Sequence, residues 1–190
     1  KNKFKSKVVT TGNMIRNEIL NFYNKKKPFS EDLNILVLGG SQAAKSFGEL
    51  LPSIFRQCIE ANLKIKVFQQ CIESQNDKLK DEYENIKINY KLFNFTNDIL
   101  EYFSKADLVI TRSGSSVTAE LLNCKIPFIS IPYPHSADGH QEKNAVYFEK
   151  KGYSFLIREK EINTKLFPLI KLIYSDKEIL DRLIEKQKKY

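Results

Sequence analysis

From residue 33 onward, short apolar runs alternate with longer amphipathic stretches. The runs Leu33–Leu38, Lys64–Gln69, Ile86–Leu92, Leu108–Thr111, Ile126–Ile131 and Tyr153–Ile157 predict six strands, and the stretches between them predict helices. This βαβα order predicts an α/β fold, a Rossmann-like parallel sheet with helices on both faces. Ligands of such sheets bind at the carboxyl ends of the strands. Three small-residue or polar turns fall at such ends: Gly39 to Gln42, Arg112 to Ser115, and Pro132 to Gln141. The last 30 residues, 161–190, predict two polar-faced helices with a kink at Pro168. Lys1–Thr11 reads as a short strand entered from elsewhere, as if cut from a longer chain. No repeats occur, and the Lys runs at 25–27 and 186–189 read as solvated surface.

A chain of 190 residues with 42% apolar content supports one substantial core, so one domain is expected. The formal net charge of +8 comes from scattered Lys, with only five Arg. It carries no nucleic-acid-binding signature. An anionic membrane surface is the better basic partner, since each nearby Lys or Arg adds about 1 kcal/mol of attraction. Cys58, Cys71 and Cys124 are odd in number and lack metal-ligand spacing, so neither a disulfide framework nor a zinc site is indicated, and a reducing cytoplasm fits. No run of 18 apolar residues exists to span a bilayer.

The stretch Ala106 to Glu120 carries the most chemistry: an apolar strand, a small-residue turn, then a helix with a carboxylate in its second turn. Ser113, Gly114, Ser115 and Ser116 leave backbone amides bare at a helix N-terminus, where orphan N–H groups and the helix dipole favour phosphate. Glu120 follows one turn beyond Ser116 on the same face and can accept from hydroxyls attached to that phosphate. A nucleoside diphosphate satisfies both.

Other motifs are weaker alone. Leu38 to Ser46 resembles a P-loop but has Ala44 at its last glycine position, and a plain tight turn explains it equally. Pro132 to Asn144 is dense in groups that match sugar hydroxyls, with Gln141 and Asn144 three residues apart. Asp138 reads as the N-cap of the helix there. His135 and His140 are the only histidines and lack a local carboxylate partner, which suits hydrogen bonding better than catalysis. Arg16, after Gly12 and Asn13, could grip a diphosphate with two parallel bonds. No D-x-D pair exists, so a carboxylate-held metal is not indicated.

In order and spacing, Gly12 to Arg16, Leu36 to Gln42, Phe95 to Asp98, Ala106 to Gly114 with Glu120, and Asp138 to Ala145 resemble the C-terminal, donor-binding half of the MurG family. Those bacterial transferases add N-acetylglucosamine to an undecaprenyl-linked muramyl-pentapeptide in peptidoglycan synthesis. The resemblance spans about residue 8 to residue 157. It implies one half of a GT-B glycosyltransferase, with residues 1–30 as interdomain segment and first helix and an N-terminal acceptor domain missing. The donor would be UDP-N-acetylglucosamine, with no cofactor and no metal. Arg16 and Ser41 would touch the diphosphate, and Ser115 and Ser116 would hold it through their amides. Thr96 would read uracil through its main chain, Glu120 the ribose, and His140, Gln141 and Asn144 the sugar. No catalytic residue would lie in this half, and the enzyme would sit peripherally on the cytoplasmic face of the plasma membrane. Met14 and Ala43 depart from the family pattern, and Ala43 threatens a close phosphate approach or a positive φ.

Three other functions remain open: an epimerase like the UDP-N-acetylglucosamine 2-epimerases, which share the fold; a P-loop nucleotidase using Lys45; and a non-catalytic UDP-sugar sensor. The donor subunit of a two-chain lipid-linked transferase is a variant of the leading reading.

Overall fold

The computed structural model describes residues 13, 15–22 and 31–190, except for the side chains of 41–44. The strand expected over Lys1–Thr11, Met14, the Lys run at 25–27 and the side chains of Ser41 and Ala43 lie outside that description.

Among the described residues, six parallel strands form one sheet: β1 Leu33–Leu38, β2 Ile65–Gln70, β3 Asn89–Phe93, β4 Leu108–Thr111, β5 Phe128–Ser130 and β6 Phe155–Leu156. Their spatial order is β3-β2-β1-β4-β5-β6, so the winding reverses between β1 and β4. The helices are α1 Asn17–Leu20, α2 Gly40–Glu60, α3 Asn76–Asn85, α4 Ile99–Phe103, α5 Ser115–Cys124, α6 His140–Lys151, α7 Ile162–Ser175 and α8 Glu178–Gln187.

Successive side chains of a strand point to opposite faces, and both faces here are covered. Ile35 and Val37 pack with Phe47, Leu51 and Phe55 of α2, Leu79 and Tyr83 of α3, and Leu166 and Ile170 of α7. Leu36 and Leu38 pack on the other face with Ile19 of α1, Phe103 of α4, Leu121 of α5 and Phe148 of α6. The two central strands, β1 and β4, are therefore apolar at nearly every position.

β1 and β4 span the residues the periodicity predicts and β2 is shifted by one, while the other three strands start two or three residues later. The reason is shared. α2, α3, α5 and α6 each end with a left-handed residue, Asn62, Lys87, Lys125 and Gly152. The following apolar residue, Leu63, Ile88, Ile126 or Tyr153, donates its N–H to a carbonyl five residues back. In such Schellman ends the apolar residue belongs to the helix stop, although it lengthens the apolar run ahead of the strand. The residues 161–190 form two helices as expected, and α7 continues through Pro168 to Ser175. The N-cap of α6 is Gly139, in left-handed conformation, and not Asp138; Asp138 itself takes φ 49° and its side chain caps nothing.

Candidate functional site

A cleft of about 380 Å³ opens above the carboxyl ends of β1 and β4, at the reversal of strand order. Its floor is Leu38, Gly39, Gly40, Thr111, Arg112 and Gly114; Phe93, Phe95, Ile99, Phe103 and Val117 make an apolar wall; Arg16, Gln70, Thr96, Glu120 and Gln141 complete the rim.

Two turns bring backbone amides to this cleft. The first follows β1, where Gly40 takes φ +68° and its N–H donates to Gln70 Oε1 at 3.3 Å. A left-handed residue there favours glycine. Ala43 lies one turn inside α2, so the positive φ falls on Gly40 instead. The second turn follows β4. Gly114 is extended, with φ −64° and ψ 143°, and α5 begins at Ser115 with no side-chain cap. Thr118 N–H donates to the Gly114 carbonyl, so the Ser115, Ser116 and Val117 amides precede the first intrahelical bond. The side chains of Ser115 and Ser116 are exposed and do not line the cleft.

The wall after β3 is held in place by amides. Asn94 Nδ2 donates to the Cys71 carbonyl at 3.1 Å and to Asn76 Oδ1 at 3.0 Å. Thr96 Oγ1 accepts from the Asp98 N–H, and Asp98 in turn caps α4 by accepting from the Glu101 N–H. With its side chain committed to the turn, Thr96 has its main chain to offer. Phe95 beside it is 78% exposed, an apolar ring at a cleft mouth with little packed against it.

Arg112 went unassigned in the sequence reading and is the hub of the site. Its guanidinium is buried, donates to Ser46 Oγ and Glu159 Oε2, and reaches the Ile131 and Pro132 carbonyls at 3.3 Å each. It also stacks 4.4 Å from the Phe47 ring centroid and 5.5 Å from that of Tyr133. One side chain thus ties α2, β4, the loop after β5 and the turn before α7 together. Its partners lie 19 to 66 residues away, so nothing in the local sequence marks it as buried.

The polar loop sends fewer groups to the cleft than expected. Gln141 lines it, with Oε1 fixed by the Tyr133 N–H at 2.9 Å, so its amide nitrogen is the donor the cleft can use. Asn144 does not line the cleft; its Nδ2 donates to the Ser113 carbonyl at 3.0 Å and braces the turn after β4. His140 is absent from the lining too, with Nδ1 2.7 Å from the Ala137 carbonyl. His135 packs edge-on against Tyr133.

Arg16 and Glu120 meet. Nε lies 3.0 Å from Oε1 and Nη2 3.2 Å from Oε2, a two-pronged ion pair at the cleft rim. The hydrogen bond to Glu120 is the main cause of a raised Arg16 pKa. Arg16 stands just before α1, which is docked on α5 by buried Ile19 and by Asn123 Nδ2 donating to the Ile19 carbonyl at 2.8 Å.

The sequence profile of the glycosyltransferase family 28 C-terminal domain matches residues 34–189. The chain belongs to that family. Among family relatives, the UDP-N-acetylglucosamine–N-acetylmuramyl-(pentapeptide) pyrophosphoryl-undecaprenol N-acetylglucosamine transferase of Pelagibacter ubique is 37% identical over 94% of this chain and 50% of its own length. The transferase of the same name from Rickettsia canadensis is 35% identical over 93% and 51%. In structure, MurG of Acinetobacter baumannii superposes with a TM-score of 0.76 at 23% identity, over 88% of this chain and 50% of that one, so the fold is that of a GT-B half. The chain thus spans about half the length of the curated relatives it matches.

No cysteine lines the cleft. Cys58, Cys71 and Cys124 are buried free thiols, and burial pushes Cys58 and Cys124 up to about 12. Among the described residues, no three His, Cys, Asp or Glu side chains gather as metal ligands, and no helix is long and apolar enough to cross a membrane.

Proposed function

We propose that the chain is the donor-binding half of an inverting bacterial glycosyltransferase. It would move N-acetylglucosamine from UDP-N-acetylglucosamine to an undecaprenyl-diphosphate-linked muramyl-pentapeptide at the cytoplasmic face of the plasma membrane. The observation that carries this reading is the cleft itself: bare amides at the start of α5, a carboxylate one turn later and an apolar wall, in a member of this family. Uracil lies against Phe95 and reads the Thr96 main chain. Glu120 accepts from the ribose hydroxyls, and the helix dipole with the Ser115, Ser116 and Val117 amides holds the diphosphate. Arg16 and the Gly40 turn add charge and donors there, and Ser41 follows in the same turn. Gln141 donates to the sugar.

In the reaction, an acceptor hydroxyl oxygen attacks the anomeric carbon while the bond to the UDP oxygen breaks, and UDP leaves with that electron pair. The acceptor's proton needs a base. Neither histidine lines the cleft, so the base and the acceptor site are assigned to the part of the enzyme that this half of the relatives' length does not cover. The isolated chain then binds donor and transfers little.

Calorimetric titration with UDP, UDP-N-acetylglucosamine, UDP-glucose and ATP tests this reading. UDP and its N-acetylglucosamine ester should bind without added metal, and Glu120→Ala should weaken both by about 1 to 3 kcal/mol, the cost of unpairing buried polar groups. Tight ATP binding that needs Lys45 and magnesium, with no competition by UDP, overturns it in favour of a nucleotidase.

A further inference from the structure

Arg16 and Glu120 were expected to serve two different parts of one ligand, the diphosphate and the ribose. In the described structure each is occupied by the other. Both line the cleft, Glu120 with 13% of its side chain exposed and Arg16 with 45%. Glu120 therefore has little access to solvent beyond the direction Arg16 fills. Arg16 has one further, looser acidic neighbour, Glu18 at 3.8 Å.

We propose that Arg16 is a specificity-determining residue that makes ribose recognition conditional on a diphosphate. A nucleoside alone must displace Arg16 from Glu120 and leaves the guanidinium without a new partner. A nucleoside diphosphate offers that planar guanidinium two phosphoryl oxygens to grip, so the carboxylate is released as the diphosphate docks. The pair lowers the fraction of protein whose Glu120 is ready, and every ligand that cannot draw Arg16 off binds with its affinity reduced by that fraction. The site then rejects uridine by more than the lost phosphate contacts alone.

The inference rests on the uridine diphosphate reading above. The experiment measures UDP and uridine binding, the latter by competition, in the native chain and in Arg16→Gln, Glu120→Gln and the double variant. In Arg16→Gln, UDP should bind about ten-fold more weakly, from loss of a charged hydrogen-bond partner. Uridine should bind about two- to five-fold more tightly, the size of the partly exposed ion pair it no longer has to open. In the Glu120→Gln background, Arg16→Gln should leave uridine unchanged, since no pair remains to open. Arg16→Lys keeps the charge without the two-pronged geometry, so uridine should gain while UDP loses less than in Arg16→Gln, and this variant stands in if Arg16→Gln melts without cooperativity. Equal weakening of UDP and uridine in Arg16→Gln would make Arg16 a fixed support of Glu120 and overturn the proposal, as would an unchanged ratio. If native chain binds no UDP, the donor-site reading fails first, and the two failures are distinct.

Discussion

The two turns that feed the cleft do the same job by different means. After β1, the turn is fixed by local backbone: Gly40 sits at φ +68°, with nothing within 4 Å of where a Cβ would stand. After β4, the turn is fixed from a distance. Gly114 has an ordinary extended backbone, and its neighbours are held by the Arg112 hub on one side and by Asn144 on the Ser113 carbonyl on the other. A glycine in a strand-to-helix turn therefore does not by itself say what the turn depends on. The first turn needs its residue type, and the second needs its partners.

Breaking the hub should separate the two turns most sharply. Arg112→Met keeps bulk but leaves Glu159 facing Ser46 without its cation, and removing one partner of a buried pair costs about 3 kcal/mol. In a chain of this size that lowers the melting temperature by roughly 6 to 12 °C in a thermal scan. A loss below about 1 kcal/mol would mean the second turn is held locally after all.

A smaller and more direct contrast comes from placing a methyl group on each glycine. Gly40→Ala meets no atom but forces a left-handed backbone, so urea unfolding should show a loss of about 1 to 2 kcal/mol. Gly114→Ala meets only Val117 Cγ1 at 4.0 Å with a compatible φ, and should stay within about 0.5 kcal/mol of the native chain. Equal losses at the two positions would erase the distinction. Asn144→Ala removes one neutral bond to the Ser113 carbonyl and should cost about 1 kcal/mol. If Asn144 were a sugar ligand instead, the variant would change sugar-nucleotide affinity and leave stability alone.

Much of the frame was legible because apolar periodicity is a local property. β1 and β4 lie where the pattern puts them, for they are buried on both faces and bounded by polar or small residues. Strands β3, β5 and β6 were overextended at their starts because Ile88, Ile126 and Tyr153 are apolar for the sake of the helix before them. Within the site, the α5 turn with Glu120 was legible as a strand, a small-residue turn and a carboxylate one helical turn later. Arg112 was not, although it sits in the same motif, because nothing local distinguishes a buried Arg from an exposed one. Asn144 was placed with Gln141 from helical spacing and His140 from the family resemblance; neither fixes the rotamer or the partner that claims the side chain.

By itself the amino-acid sequence determined the order of elements, the parallel sheet and the small-residue turn ahead of Glu120, since each follows from neighbours within about one or two helical turns. Only the tertiary structure decided that Arg112 fastens four segments, that Asn144 braces a carbonyl, and that Arg16 rests on Glu120 across 104 residues. Charged and amide side chains take whichever partner the packed core brings within reach, and that choice is made by distances in space that no spacing along the chain records.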